Sequence, residues 1–200
     1  MDFATKIAKS KSGRNAYNAF SRMQLSPSDM PTANQLDTPQ SQEHKVFKRM
    51  ATTILRLADK KWWANAPKMQ GSGKLLGVLQ RLADNGYNIE ILSSPFGDES
   101  REGKLEWCEK NLPEEFTKYN IRSDKESLAC SHTVLIDDRK KICARFTEAG
   151  GHAIIFNELW LAELLSVLKN NEITTVYVDL DGVLVDTQAH LIKTIGEISL

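Results

Sequence analysis

Short apolar runs alternate with longer amphipathic segments over the C-terminal part of the chain. The runs contain β-branched and aromatic residues, which is typical of short strands buried on both faces of a sheet. They predict strands at 88–92, 119–121, 133–136, 153–156 and 176–178. Elsewhere in this part, apolar residues recur at helical spacing, which predicts helices at 73–85, 100–112, 139–149, 158–169 and 187–198. Strands that alternate with helices of this length predict an α/β fold with a doubly wound parallel sheet.

The N-terminal part of the chain has a different pattern. Apolar residues at helical spacing predict one helix over 3–24 and another over 43–60. Between them, 26–42 carries prolines among Ser, Thr, Asn and Gln residues, which predicts a loop or a partly disordered linker. The Lys and Arg residues of the first helix suit two interpretations, a solvated helix face or a basic element near an anionic substrate.

Trp62 and Trp63 end this N-terminal region. Two adjacent tryptophans cannot both lie on one face of a helix. We therefore expect one ring to pack in the core and the other to line the edge of a cleft. Core packing is the simpler interpretation of each ring, and stacking against a nucleobase is the alternative.

The composition indicates one domain, or a core with a small insert, because the chain has 200 residues and a hydrophobic fraction of 41%. The 26 Lys and Arg residues balance the 26 Asp and Glu residues. Charge alone therefore predicts neither stable nucleic-acid binding nor binding to an anionic membrane. No apolar run reaches transmembrane length, and no signal-peptide core follows Met1. The basic N-terminal stretch suits an amphipathic helix, and a transit peptide is the alternative.

The cysteines, Cys108, Cys130 and Cys143, show no metal-ligand spacing and do not pair evenly. We expect them to be reduced structural thiols, which indicates a cytoplasmic location. A metal bound by this chain is therefore expected to have oxygen ligands.

Three of the predicted strands end in polar residues, namely Ser93 with Ser94, Asp137 with Asp138, and Asp179 with Asp181. Ligands bind beyond the carboxyl ends of the strands in sheets of this kind, so these side chains are expected to form one site. Side chains two apart in an extended chain point the same way, which aims the carboxylates of Asp179 and Asp181 at one spot. Gly182 then allows the chain to turn away. A lone Asp-x-Asp also suits an acidic turn at a strand end, but three polar strand ends favour a site.

Four carboxylates repel one another strongly when they cluster, so the site is expected to hold a divalent cation. Oxygen ligands without a His or Cys set suit Mg²⁺, which favours phosphate oxygens and therefore indicates phosphoryl chemistry. A metal-bound phosphate also needs positive charge and hydroxyl donors, and Lys104, Lys125 and Ser93 are the available residues. Ser123 and Glu126 have the spacing of a helix capping box, which does not use Lys125.

These residues resemble the motifs of one superfamily. The string Asp179-Leu-Asp-Gly-Val-Leu-Val-Asp186 resembles the first motif of the haloacid-dehalogenase-like phosphohydrolases. Ile91-Leu-Ser-Ser-Pro95 resembles their second motif, Lys125 the third, and Leu135-Ile-Asp-Asp138 the fourth.

Two further strings are more specific. Glu102-Gly-Lys-Leu-Glu-Trp107 and Ser123-Asp-Lys125 are similar to segments of the 5′(3′)-deoxyribonucleotidases, a family within that superfamily. An aromatic pair is also familiar in that family at the position of Trp62 and Trp63. Ser93 stands where the family commonly has Thr, and both residues supply a hydroxyl. The resemblance covers about residues 62–157 and 174–190.

The order of the motifs departs from the family, because the Asp-x-Asp strand comes first there and last here. The resemblance therefore implies a circular permutation with the break inside the cap region. It implies a Rossmann-like catalytic core at 61–186 and a small helical cap formed by 1–60 together with 187–200. The chain ends, Met1 and Leu200, are then expected on one side of the molecule, near the mouth of the active site.

The resemblance also implies a function, the Mg²⁺-dependent hydrolysis of nucleoside monophosphates. Asp179 would be the nucleophile that forms an aspartyl-phosphate, and Asp181 would be the general acid and base. The metal ligands would be Asp179, the backbone carbonyl of Asp181, and one of Asp137 and Asp138. The resemblance also implies that Ser93 and Lys125 contact the phosphate, with support from Ser94 and Lys104. Trp62 and Trp63 would contact the nucleoside.

Two other functions are compatible with parts of the sequence. A polynucleotide 3′-phosphatase, or another phosphatase for small phosphoesters, would use the same core. The former would need a basic groove for the strand, and the balanced charge is evidence against one. A catalytically silent module that binds a nucleotide or a partner would be expected to have lost Asp179 or the motif lysine, and both are present. Base and sugar preference, 5′ against 3′ phosphate and homodimer formation are left open.

Overall fold

The computed structural model describes residues 3–37, 41–116 and 118–198, without the side chains of Ala33 and Asp37. The expectation that Met1 and Leu200 lie on one side of the molecule concerns residues outside this part of the chain. Part of the predicted linker, at 38–40, also lies outside it.

The described strands form one parallel sheet in the order β2-β1-β5-β3-β4. The strands are β1 (Asn88–Ser93), β2 (Lys118–Ile121), β3 (Thr133–Asp137), β4 (His152–Ile155) and β5 (Thr175–Val178). The strand that comes last in the chain, β5, lies in the centre, where Val176 pairs with Ile89 on one side and with Val134 on the other. The predicted α/β fold with a parallel sheet is therefore confirmed.

Four helices alternate with these strands: α6 (Ser72–Asp84), α7 (Asp98–Asn111), α8 (Lys140–Glu148) and α9 (Trp160–Asn170). Their bounds agree with the predicted ones to within two residues. Helix α6 packs against β1, α8 against β3 and β4, and α9 against β4. On one face of the sheet, Leu92, Leu135 and Tyr177 form an apolar cluster with Phe146 of α8.

The chain divides into two compact units. The helical unit comprises the described residues of Met1–Pro67, Phe96–Lys104 and Thr187–Leu200, and the sheet unit comprises those of Lys68–Pro95 and Leu105–Asp186. Compared with the predicted division, the helical unit also includes 61–67 and 96–104. The interpretation of the units as cap and catalytic core remains a prediction.

The helical unit is built mainly from the N-terminal part of the chain and one late helix. Its helices are α1 (Phe3–Lys9), α2 (Lys11–Arg22), α3 (Ala33–Asp37), α4 (Gln42–Leu57), α5 (Lys60–Ala64) and α10 (Thr187–Glu197), together with the first half of α7 and a 3₁₀ turn at Pro27–Asp29. The core of this unit includes Ile7, Met50 and Ile54, which are fully buried, and receives Leu191 and Ile195 from α10. Residues from near both ends of the sequence therefore share one core.

Two predictions for this region were wrong. The single helix expected over 3–24 is interrupted at Ser10, whose Oγ accepts a hydrogen bond from the backbone N–H of Gly13 at 2.9 Å and caps α2. Serine competes for backbone hydrogen bonds in this way, and apolar spacing does not reveal it. The segment 26–42 is also more regular than a loop, since it contains the 3₁₀ turn and α3.

Each described helix is too short or too polar to cross a membrane. The cysteines are free thiols, as expected. Burial raises the pKa of Cys143 to about 12, and its Sγ lies 3.6 Å from the carbonyl oxygen of Asp137, so this thiol has a structural role.

Within the helical unit, α5 and the first half of α7 pack closely at Gly103. A Cβ atom at Gly103 would lie 2.4 Å from Cβ of Trp63 and 2.5 Å from the carbonyl oxygen of Lys60. Gly103→Ala should therefore lower the free energy of unfolding, measured in urea, by about 1–3 kcal/mol through overpacking. The control is Gly77→Ala within α6, where a Cβ meets nothing within 4 Å. The control should raise the free energy of unfolding by about 0.5–1 kcal/mol, because alanine favours a helix interior.

Candidate active site

The carboxyl ends of β3 and β5 bring three aspartates together. Asp137 is the last residue of β3, Asp179 directly follows β5, and the two strands pair in parallel, with Ile136 opposite Val178. One carboxylate oxygen from each of Asp137, Asp138 and Asp179 lies within 4.8 Å of the others. Asp137 and Asp179 are buried, and Asp138 is partly buried. The strand ends thus concentrate negative charge at the edge of the sheet where the sequence predicts a site.

Lys125 supplies the positive charge within this cluster. Its Nζ lies 2.7 Å from Oδ2 of Asp137 and 3.0 Å from Oδ1 of Asp179, and its side chain is only 3% exposed. Burial lowers the pKa of Lys125, but the charges of Asp179 and Asp137 outweigh this effect, so the pKa is raised overall. Lys125 is therefore a buried ammonium group that bridges two carboxylates at the ends of neighbouring strands.

The loop after β2 holds Lys125 in this position. The backbone N–H of Arg122 donates to the carbonyl oxygen of Ser93 at 2.8 Å, which ties the ends of β2 and β1 together. The guanidinium of Arg122 donates two hydrogen bonds to the carboxylate of Asp124, at 2.7 and 2.6 Å. Arg122 was not among the predicted site residues, although an Arg and an Asp two apart, just before the motif lysine, could have indicated it.

The predicted capping box at this loop does not form. Lys125 begins a 3₁₀ turn, Lys125–Leu128, whose N-cap residue is Asp124 rather than Ser123. The carboxylate of Glu126 pairs with Arg145 of α8. The spacing of Ser123 and Glu126 was therefore insufficient evidence for a cap.

The cluster contains more negative charge than one ammonium group neutralises. Burial, followed by the charges of Asp179, Asp137 and Asp181, raises the pKa of Asp138 to about 8. Burial and the charge of Asp179 also raise the pKa of Asp137, although Lys125 opposes this shift. Either a proton or a cation must therefore accompany the three carboxylates at neutral pH. A set of three carboxylate oxygen donors fits a hard divalent cation such as Mg²⁺.

A tight turn follows Asp179 and brings glycine against the cluster. The backbone N–H of Val185 donates to the carbonyl oxygen of Leu180 at 2.8 Å, and Gly182 has a φ of 77°. A Cβ atom at Gly182 would lie 2.3 Å from Oδ2 of Asp138. Glycine is needed here for its backbone conformation, as the sequence suggested, and also for the space that the carboxylate of Asp138 occupies.

The remaining predicted residues of the sheet unit lie at the same edge. Ser93 is the last residue of β1, which pairs with β5, and it is fully buried. Ser94 follows it and is partly buried. Asp181 lies within the turn and forms a backbone bridge with Val185. Four clustered carboxylates were expected, and the cluster identified among the described residues has three, those of Asp137, Asp138 and Asp179.

Lys104, Trp62 and Trp63 belong to the helical unit. Both tryptophans are buried, and their rings meet edge to face with centroids 5.0 Å apart. The indole N–H of Trp62 donates to Oγ1 of Thr194 at 3.0 Å, whereas the Trp63 ring lies near Phe96 and below the Nζ of Lys104. We expected one ring to pack and the other to line a cleft; instead each ring packs against different neighbours, which favours core packing over stacking on a nucleobase.

Gly182→Ala should displace the carboxylate of Asp138. The substitution combines an unfavourable positive φ, which costs about 1–2 kcal/mol in free energy of unfolding, with the close contact to Asp138. Gly86→Ala is the matched control, because Gly86 has a φ of 89° and open space around a Cβ. In urea unfolding both variants should lose stability, and Gly182→Ala should lose more. Equal losses would mean that Asp138 moves aside at no cost.

Lys125→Met should leave the buried carboxylates of Asp137 and Asp179 without their ammonium partner. Removing one member of a buried ion pair typically costs about 3–5 kcal/mol, and we expect a loss of that order in urea unfolding at neutral pH with EDTA present. Arg145→Met is the control, because it breaks the exposed pair with Glu126 and should change the free energy of unfolding little. A Lys125→Met variant as stable as this control would contradict the charge balance described here.

Comparisons with protein-family models, with curated proteins and with solved structures found no match to this chain. The superfamily resemblance therefore rests on the motif residues themselves.

Proposed function

We propose that this chain is a Mg²⁺-dependent phosphatase that hydrolyses nucleoside monophosphates through an aspartyl-phosphate intermediate. The observation that carries the proposal is the buried Nζ of Lys125, 2.7 Å from Asp137 and 3.0 Å from Asp179, at the carboxyl edge of a parallel sheet. A structural ion pair alone would need one carboxylate, whereas this ammonium group contacts two carboxylates that cluster with a third, that of Asp138. Surplus negative charge of this kind suits a site that binds a cation and a phosphate together.

Asp179 is the proposed nucleophile. One of its carboxylate oxygens attacks the phosphorus, a new oxygen–phosphorus bond forms, and the bond from phosphorus to the nucleoside oxygen breaks. Lys125 keeps the carboxylate oriented and offsets negative charge that develops on the phosphoryl oxygens. Ser93 and Ser94 supply hydroxyl donors to those oxygens, and Lys104 supplies further positive charge.

Asp181 is the proposed acid and base. It gives a proton to the departing nucleoside oxygen and then removes one from the water molecule that hydrolyses the aspartyl-phosphate. Its position in the turn, two residues after the nucleophile, is suited to both steps because one group stays beside the reacting phosphorus throughout. Phosphate leaves with the oxygen of that water, which regenerates Asp179.

The residues that would hold Mg²⁺ are Asp179, one or both of Asp137 and Asp138, and the backbone carbonyl of Asp181. When bound, the ion supplies positive charge that reduces repulsion between the attacking carboxylate and the phosphate. The carboxylate of Asp137 also accepts a hydrogen bond from the backbone N–H of Arg139 at 2.9 Å, which keeps its orientation.

The substrate class rests on the resemblance to the 5′(3′)-deoxyribonucleotidases. It is supported by the Ser-Ser-Pro string at the end of β1 and by the helix that carries Lys104 and Trp107. The balanced charge of the chain favours a small substrate over a polynucleotide. We further propose that the helical unit is the cap and that the motif order reflects a circular permutation.

The test is a phosphate-release screen over ribonucleoside and deoxyribonucleoside 5′- and 3′-monophosphates with Mg²⁺, together with a 3′-phosphorylated oligonucleotide. We expect release from one or more nucleoside monophosphates and none in EDTA. Asp179→Asn should keep the circular dichroism of the wild type and less than about a hundredth of its rate, because loss of a nucleophile typically costs orders of magnitude more. Asp84→Asn, at an exposed position of α6, is the control and should keep the full rate.

Three results would contradict the proposal. Full activity in EDTA would exclude the metal, and an active Asp179→Asn variant would exclude covalent catalysis at this residue. Release from the oligonucleotide alone would favour the polynucleotide phosphatase.

A further inference from the structure

Helix α9 of the sheet unit carries a row of leucines at its solvent side. Leu165 is 56% exposed, and Leu159, at the N-cap of the helix, is 65% exposed, so two of the three exposed large apolar side chains in the described part of the chain lie here. Leu161 and Leu168 are partly buried and stand four residues before and three residues after Leu165. At this spacing, Leu161, Leu165 and Leu168 form one row along the helix, the leucine row.

The inner side of α9 is already occupied. Trp160 and Leu164 are buried, and the helix packs against β4, the strand at one edge of the sheet. A helix that only covers a sheet has polar residues outside its buried stripe. A single exposed leucine needs no explanation, but a row at helical spacing marks a surface on which another element packs.

Opposite charges stand at the two ends of this surface. Glu158, just before α9, and Lys169, in its last turn, are exposed, and with Ala162 and Leu165 between them they follow the spacing of one helix face. Within the described part of the chain, neither Glu158 nor Lys169 forms an ion pair. The face is therefore acidic at its start, apolar in its middle and basic at its end, so that it is complementary to the same face in the reverse direction.

We propose that α9 forms an interface with a second copy of this chain, in which the two helices pack antiparallel about a two-fold axis. Such an interface uses the same surface on both copies, so Glu158 of each copy faces the partner's Lys169. When the axis passes midway between these two positions, Leu165 lies opposite the partner's Ala162, and a large side chain meets a small one. Parallel packing would instead place like charges together at both ends, which is unfavourable.

The size of this surface predicts a weak dimer. With 11 residues in each α9, the paired helices bury less than the about 1,200–2,000 Å² of a standard stable interface. We therefore expect a reversible equilibrium between monomer and dimer over about 1–100 μM protein, measured by sedimentation velocity at neutral pH and low salt. A wild-type protein that sediments as a monomer throughout this range would overturn the proposal.

Leu165→Glu removes the apolar contact at the middle of the interface and adds a carboxylate from each copy. It should raise the dissociation constant of the dimer about tenfold to a hundredfold. Because more than half of Leu165 is exposed, the variant should keep the circular dichroism and the urea midpoint of the wild type. Leu165→Met keeps an apolar side chain of similar volume and is the control, which should dimerise like the wild type. Unchanged dimerisation in Leu165→Glu would overturn the proposal, because the contact would then lie elsewhere.

Charge reversal tests the antiparallel orientation. Glu158→Lys and Lys169→Glu should each raise the dissociation constant about threefold to tenfold at low salt, because each places like charges at both ends of the interface. The double variant restores opposite charges at both ends and should dimerise like the wild type. Glu163→Lys is the matched control, because Glu163 stands two residues before Leu165, on the opposite side of α9, and the variant should dimerise like the wild type.

The outcomes of the charge reversal decide the orientation. Losses that multiply in the double variant, or single variants that dimerise like the wild type, would overturn the antiparallel arrangement. None of these measurements uses catalytic activity, so this inference and the proposed phosphatase function fail separately.

Discussion

The arrangement of the sheet unit depends on one buried charge interaction, the ammonium group of Lys125 between the carboxylates of Asp137 and Asp179. Taking three charged groups out of water is costly, and only short contacts among them offset that cost. Because the two aspartates come from neighbouring strands, β3 and β5 must pair in the observed register for the contacts to form. Lys125 must also be delivered from the loop after β2, which Arg122 attaches to the end of β1. The contacts of Lys125 therefore require four segments of the chain to lie in their observed places: β3, β5, the loop after β2 and the end of β1.

The same centre is poorly explained as a stabilising feature alone. A well-packed apolar core would give equal or greater stability without the cost of desolvation. The carboxylate of Asp138, with its pKa raised to about 8, adds further unfavourable charge next to the pair. Clusters that combine burial with surplus charge are characteristic of binding and catalytic sites, where the missing counter-charge arrives with a ligand. The geometry of the cluster therefore suits the proposed metal and phosphate chemistry.

Much of the sheet and part of the site could be predicted from the sequence. The strands could be predicted because short runs of Val, Ile and aromatic residues are typical of buried parallel strands. The site residues after them could be predicted because the carboxyl ends of parallel strands meet at one edge of the sheet. The break at Ser10 and the helix α3 could not, because a side-chain cap and a short helix leave almost no periodic signal. The approaches of Gly182 to Asp138 and of Gly103 to Trp63 are contacts between distant or separate segments, which local pattern cannot reveal. For the same reason, the sequence did not show which neighbours each tryptophan ring would pack against.

The central position of β5 has a consequence for how this protein is made. On the ribosome β1, β2, β3 and β4 emerge first, yet β1 and β3 have no shared partner until β5 arrives between them. Ile89 and Val176, which pair in the finished sheet, are separated by most of the sheet unit along the chain, and such distant pairing slows folding. Until then the nascent chain exposes unpaired strand edges of the kind that chaperones bind and that promote aggregation. The sheet is thus complete only when the central strand pairs with β1 and β3. Asp179 reaches Lys125 and Asp137 only at that last step.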